Sequence, residues 1–147
     1  MNDSPKQETF EEVQTIQNLL LIGRKIMIEL DAALEDAGLS AAKLWALKPL
    51  IEADDNLGVT QLADCMGSGK SNATQIIDRM EAEGLVRRVP NPDDRRSILL
   101  EVTEEGLARY QTGIDLHRQT AQRMLSQLSE TQRSQFAAFL EMIRNSL

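Results

Sequence analysis

From Lys70 to Met80 the chain reads KSNATQIIDRM, and its polar and apolar residues separate at helical spacing. Ala73, Ile76, Ile77 and Met80 fall on one side, leaving Lys70, Ser71, Asn72, Thr74, Gln75 and Arg79 on the other. Hydroxyls and carboxamides both donate and accept hydrogen bonds, while the ammonium and guanidinium donate only. A face made of such groups suits reversible recognition rather than bond-making. Arg87, Arg88, Asp94, Arg95 and Arg96 follow within a charged stretch that would stand beside it. Nothing catalytic competes strongly for these residues. Gly69-Lys70-Ser71 looks like the end of a phosphate-binding loop, but Asp64 stands where that loop needs glycine, and the lead-in has helical period instead of a buried strand. One His and one Cys cannot supply an ordinary zinc ligand set, although a Cys65–His117 pair stays open.

The elements that must position this face are legible around it. Val59, Leu62, Ala63 and Met66 recur at helical spacing with Thr60 placed as a cap, and Gly67-Ser68-Gly69 breaks that helix. The second helix runs from Lys70 to a C-terminal glycine, Gly84. Leu85–Val89 and Ile98–Val102 are strand-like and joined by a charged hairpin. Helix, turn, helix and two-stranded hairpin in this order make a winged helix-turn-helix. Before it, Met1–Glu8 is polar and expected to fray. A long helix is expected from Phe10 to Ala37, closed by Gly38, with Val13, Ile16, Leu20, Met27, Leu30 and Leu34 along one side. Ser40 caps a segment from Ala41 to Glu52 with Leu44, Trp45, Leu47 and Ile51 expected inside, and Pro49 able to bend or shorten it. Asp54–Gly58 reads as a loop. After the wing, Thr103-Glu104-Glu105 starts a helix whose Leu107, Tyr110, Ile114, His117, Ala121, Met124 and Leu128 step by threes and fours, as a coiled seam does. Ser129 and Glu130 begin a last helix with Phe136, Phe139, Leu140, Ile143 and Leu147 on one face. The fold class expected is mainly α with a small β-wing. It divides into a winged helix-turn-helix over 39–103 and a helical dimerisation region over 1–38 and 104–147.

With 147 residues the chain can bury a real core. It carries no signal-like segment and no run fit to span a bilayer, so no membrane partner is expected. A single cysteine excludes an internal disulfide and suggests a reducing, cytoplasmic setting. The net charge of −7 argues against a nucleic-acid partner when taken whole, but it is unevenly placed. Between Ser68 and Arg96, six basic residues face five acidic ones, while the remainder holds ten against eighteen. Only charge within a Debye length of about 8–10 Å acts on a nearby phosphate. The acidic remainder therefore weakens indiscriminate binding and leaves selectivity to particular contacts. The terminal helices are more apolar than a monomer easily hides, which points to a homodimer in which they interlock.

Three blocks carry a family resemblance: Leu62-Ala63-Asp64 leading to Gly67, the run from Ile76 through Gly84 to Arg88, and Pro92-Asp93-Asp94-Arg95-Arg96-Ser97 followed by Thr103-Glu104-Glu105-Gly106. With the order of helices around them, they make the chain resemble the MarR/SlyA family of bacterial transcription regulators over nearly its whole length. The resemblance implies a homodimer gripping a palindromic double-stranded DNA operator, more a repressor than an activator, with no cofactor and no catalysis. The helix from Lys70 would lie in the major groove. Lys70, Ser71, Asn72, Thr74 and Gln75 would meet base edges and nearby phosphates, since Asn and Gln pair with adenine and Lys with guanine. Arg79 would hold a phosphate. Asp94-Arg95-Arg96-Ser97 fits the family's pattern of Asp, any residue, Arg and a small residue. Arg96 would then enter a narrow A·T-rich minor groove, with Asp94 fixing its guanidinium and Arg95, Arg87 and Arg88 on phosphates. Ser68 and Gly69 depart from the pattern and leave the start of the recognition helix open by one residue.

The resemblance also implies release by a small, aromatic or acidic effector bound between the dimer helices and the winged helix. Trp45, Met27, Met66 and Leu44 could line such a cleft or be simple core. Cys65 just before the recognition helix offers a redox alternative to a structural role, and His117 on the seam offers a pH-sensing one. A winged helix that pairs with protein instead of DNA is a further reading.

Overall fold

A computed structural model describes the backbone of residues 4–94 and 96–147, with side chains described from Phe10 onward, Arg95 excepted. Helix α1 spans Ser4–Leu34 and tightens into a 3-10 turn over Glu35–Ala37. Its start lies within the stretch expected to fray, and Pro5 falls in the first turn, where its missing N–H has no helical partner to lose. Helix α2 spans Ala41–Glu52. Its open N-terminus is satisfied twice: Ser40 Oγ accepts from the Lys43 N–H, and Asp31 Oδ1 from the Ala41 N–H at 2.8 Å. Pro49 does not cut it short, because the helix runs on to Glu52 and the Ala53 N–H reaches the Pro49 carbonyl.

The Asp54–Gly58 loop ends in a strand that sequence pattern did not separate from it. Leu57–Gly58 is β1, and it pairs antiparallel with β3, Ile98–Val102, which in turn pairs with β2, Val86–Pro90. The sheet is thus three-stranded in the order β1-β3-β2. Two residues are too few to show a period; only their partner Leu100, itself buried, defines them. Because β1 ends at Gly58, the next helix, α3 (Val59–Cys65), starts two residues earlier than a Thr60 cap requires. Gly58 is the N-cap, and the Gln61 side chain accepts its N–H at 2.8 Å.

Helix α4 spans Lys70–Ala82. It stops where Gly84 turns left-handed at φ 73°, with the Leu85 N–H on the Met80 carbonyl and the Gly84 N–H on that of Glu81. Helices α5 (Glu104–Met124) and α6 (Glu130–Asn145) follow the sheet. One core joins the end of α1 and the first half of α5 to the winged helix: Leu30, Leu34, Leu44, Leu47, Leu62, Ile77, Met80, Leu85 and Leu100 are in a single buried cluster with Tyr110. Trp45, expected inside, is 44% exposed, because α2 buries Leu44, Ala46, Leu47 and Leu50 and turns the indole away.

The seam of α5 is real but differently composed. Its buried positions are Gly106, Tyr110, Gly113 and Thr120, with His117 and Met124 half-buried between and beyond them, still in steps of four and three. Leu107, placed on the seam by its hydrophobicity, is exposed. The small residues are there for contact. A Cβ on Gly106 would stand 2.0 Å from the Leu85 carbonyl oxygen, and one on Gly113 would stand 2.8 Å from Leu39 Cδ1. Outside this core lies a broad apolar surface. Phe10, Val13, Ile16 and Leu20 on α1 are exposed, and so are Phe136, Phe139, Met142 and Ile143 on α6, which buries no residue at all.

Candidate nucleic-acid interface

The polar face of α4 is presented by the apolar one. Ala73, Ile76, Ile77 and Met80 are buried, which fixes the helix's rotation and leaves Lys70, Ser71, Asn72, Gln75 and Arg79 exposed. None of these five side chains has a hydrogen-bond or ion-pair partner among the described residues. Thr74 differs, being half-buried with its hydroxyl donating to the Lys70 carbonyl at 2.8 Å. That back-bond leaves its oxygen free only to accept. The uncertain helix start is resolved at Lys70, with Gly69 as N-cap and no side-chain cap. Ser68 does not take over as the cap, and its buried hydroxyl lacks a partner among the described residues.

The wing tip is organised by two short side chains. Asn91 Oδ1 accepts from the Asp93 N–H at 2.9 Å, and Asn91 Nδ2 donates to Ser97 Oγ at 2.8 Å across the hairpin. Asn91 was not singled out from the sequence, although an Asn two residues before a turn is the usual signal for such a contact. Asp94 does not hold the Arg96 guanidinium. Its Oδ1 accepts instead from the Arg96 backbone N–H at 3.0 Å, so it shapes the turn that carries Arg96. The Arg96 side chain is exposed and forms no ion pair among the described residues. Arg95 lies outside the described residues.

Arg87 and Arg88, expected on phosphates, are both engaged within the chain. Arg87 sits opposite Glu101 in the ladder and forks onto it, Nε to Oε2 at 2.8 Å and Nη2 to Oε1 at 2.9 Å. This hydrogen-bonded pairing raises the arginine's pKa and lowers that of Glu101. Arg88 points back toward α4. Its Nη2 lies 2.5 Å from Asp78 Oδ1, its Nη1 meets Glu81 Oε2, and its backbone N–H donates to Glu81 Oε1. The bond to Asp78 is the main reason its pKa is raised, with burial opposing. A phosphate role for Arg88 would require opening both pairs. From the other side, Lys43 Nζ on α2 holds Glu83 at 2.7 Å, a pair that sequence spacing could not reveal across forty residues.

The residues expected around an effector cleft are only partly brought together. Leu44 and Trp45 share a small recess of about 100 Å³ with Lys48, Tyr110, Ile114 and His117, whereas Met27 and Met66 do not line it. Cys65 is an exposed free thiol and not a packed core residue. Among the described residues no helix is long and apolar enough to cross a membrane, and no cluster of three potential metal ligands occurs.

Residues 49–98, from the end of α2 through the wing to the first residue of β3, match the model of the MarR family. The HTH-type transcriptional repressor MdtR of Bacillus subtilis is 31% identical over 82% of this chain and 77% of its own. A MarR-family transcriptional regulator from Rhodococcus superposes with a TM-score of 0.76 at 25% identity, covering 89% of this chain and 93% of that one. A mutant MarR from Escherichia coli, crystallised with operator DNA, gives 0.81 at 22% identity over 91% and 96%, a likeness of fold. With a repressor this similar over most of both sequences, and the family's pattern lying on the helix-turn-helix and wing, the chain belongs to the MarR family of transcription regulators.

Proposed function

We propose that this regulator acts as a cytoplasmic homodimeric repressor on a palindromic operator, with binding rather than catalysis as its whole chemistry. Each α4 enters a major groove, where Asn72 and Gln75 read adenine edges, Lys70 and Ser71 meet base edges or nearby phosphates, and Thr74 serves as an acceptor. Arg79 holds phosphate, and Arg96 enters the adjacent minor groove from the wing. The observation that carries this is the exposed row of unpaired hydrogen-bonding groups on a helix whose opposite face is locked into the core. The exposed apolar faces of α1 and α6 supply the dimer contact, and residues 39–103 the DNA-binding unit. A small aromatic or acidic effector acts by favouring a spacing of the two α4 helices that misfits the operator.

The test is fluorescence anisotropy on the chain's own upstream DNA and on a scrambled duplex, at several salt concentrations, with Arg96→Ala alongside. Selective binding weakened by about 1–3 kcal/mol in Arg96→Ala is expected. Equal, weak binding of both duplexes by both proteins, together with no enriched fragment in a selection from genomic DNA, would favour a protein-binding module instead.

A further inference from the structure

The reading face of α4 contains a carboxylate in the wrong place for DNA. Ser71, Gln75 and Asp78 are spaced by four and three residues, so they form one stripe along the helix, and the Asp78 side chain is 58% exposed. Glu81, a turn further, adds a second negative charge. Both lie toward the C-terminal end of α4, where the helix dipole is already negative and anionic side chains are unfavourable. Neither would be expected on a surface that approaches phosphates unless something cancels it.

Arg88 offsets one of these two charges and is shared by both. It comes from β2, is only 29% exposed, and divides its guanidinium between the two carboxylates while its own N–H also binds Glu81. Planar, forked donors make arginine suited to this task in a way that lysine is not. Lys43 does the same for Glu83 from α2. Every carboxylate from Lys70 to Glu83 is thereby paired with a cation from another element, and the charges left open on the helix are Lys70 and Arg79.

We propose that Arg88 is a positioning residue for DNA recognition that masks Asp78 and Glu81 from the phosphate backbone and does not bind phosphate itself. The inference rests on α4 being the helix that faces DNA. Removing Arg88 leaves two carboxylates within a Debye length of the groove's phosphates. Removing all three charges takes the set from a net −1 to zero, so the groove is then no more repulsive than in the parent, whereas removing Arg88 alone takes it to −2.

The experiment uses the duplex that the parent protein itself selects from a random library, and compares Arg88→Met with the triple variant Arg88→Met/Asp78→Asn/Glu81→Gln. At about 0.15 M salt the single variant should bind roughly tenfold more weakly, while the triple variant returns to within about threefold of the parent. The dependence of affinity on salt should keep the parent's slope in the triple variant, because no phosphate contact has been lost. Melting curves of all three proteins separate this from folding: the triple variant lacks the ion pairs as fully as the single one, so a role in fold stability alone would not restore its affinity. An arginine that binds phosphate predicts the opposite, with both variants weak and the salt slope reduced by about one. That outcome overturns the proposal, as does an Arg88→Met protein that binds like the parent. A triple variant that stays weak at the parent's slope also overturns it, in favour of a purely mechanical clamp. If the parent selects no duplex, the DNA-binding reading falls and takes this inference with it.

Discussion

Replacing Gly106 by alanine should destabilise the protein, although helix propensity alone predicts the reverse. Gly106 lies in the first turn of α5, where alanine would ordinarily gain up to about 1 kcal/mol. Its added Cβ, however, would stand 2.0 Å from the Leu85 carbonyl oxygen and 2.9 Å from the carbonyl carbon. Ordinary contact begins near 3.4 Å, so α5 and the start of β2 must separate by more than 1 Å. That separation pulls directly on three bonds to the same corner. The Thr103 N–H and hydroxyl both reach the Leu85 carbonyl, at 3.0 and 3.1 Å, and the hydroxyl also reaches the Gly84 carbonyl at 2.6 Å. Overpacking costs about 1–3 kcal/mol, and weakening one or two of these bonds about 1 kcal/mol each. Less the propensity gain, the net loss is about 1–4 kcal/mol. For a chain of this length that lowers the melting temperature by roughly 3–15 °C. Thermal unfolding followed by circular dichroism at fixed protein concentration measures it. A Gly106→Ala protein that melts at or above the parent's temperature would refute the close approach of α5 to Leu85.

Other perturbations probe separate parts. Thr103→Ala removes the cap of α5, whose oxygen accepts from the Gly106 N–H at 2.9 Å, together with the bonds to Gly84 and Leu85; a loss of about 1–2 kcal/mol in denaturant unfolding is expected. Glu101 has its pKa lowered chiefly by the hydrogen bonds from Arg87, so the pair stabilises the wing above the ordinary carboxylate range, and that contribution disappears as the pH falls through the depressed value. Arg87→Gln should therefore flatten the acid limb of the stability–pH curve, and an unchanged limb in urea titrations below pH 5 would show the pair to be inert. Phe139→Glu on α6 should shift sedimentation from dimer to monomer without disturbing the winged-helix core, to which α6 contributes no buried residue. A dimer that survives the charge would mean that the contact lies on another face.

The parts of the structure that were legible in the sequence are those whose determinants are local. Ala73, Ile76, Ile77 and Met80 at one helical spacing, with Gly84 after them, give α4 its face and its end. Ser40 and Ser129 announce helix starts within three residues of the N–H groups they accept. What stayed hidden depends on distant partners. β1 exists because Leu57 pairs with Leu100. Gly106, Gly113 and Thr120 escape any search for apolar residues, yet they are the buried seam of α5 because close approach requires little or no side chain. Arg87 and Arg88 look alike in sequence, both adjacent and both basic, but strand alternation sends one across the ladder to Glu101 and the other back to Asp78 and Glu81. Charge composition alone cannot distinguish a cation available to phosphate from one already spoken for.

The corner formed by Gly84, Leu85, Thr103 and Gly106 also explains how a distant event could reach the DNA. α4 ends there and α5 begins there, joined by backbone and hydroxyl hydrogen bonds with no room for an extra carbon. The same end of α4 is tied to α2, because its C-cap Glu83 holds Lys43. The C-terminal end of α4 is therefore set to move with α5. With 21 residues, α5 is about 30 Å long, so a swing of about 5° about one end moves the other by roughly 3 Å. That is close to the rise of about 3.4 Å per base pair, enough to take a pair of reading helices out of register with fixed half-sites. In the proposed dimer, a ligand that alters the packing along α5 needs to produce only a small rotation. The rigid corner turns that rotation into a change of spacing, and a looser corner would absorb it.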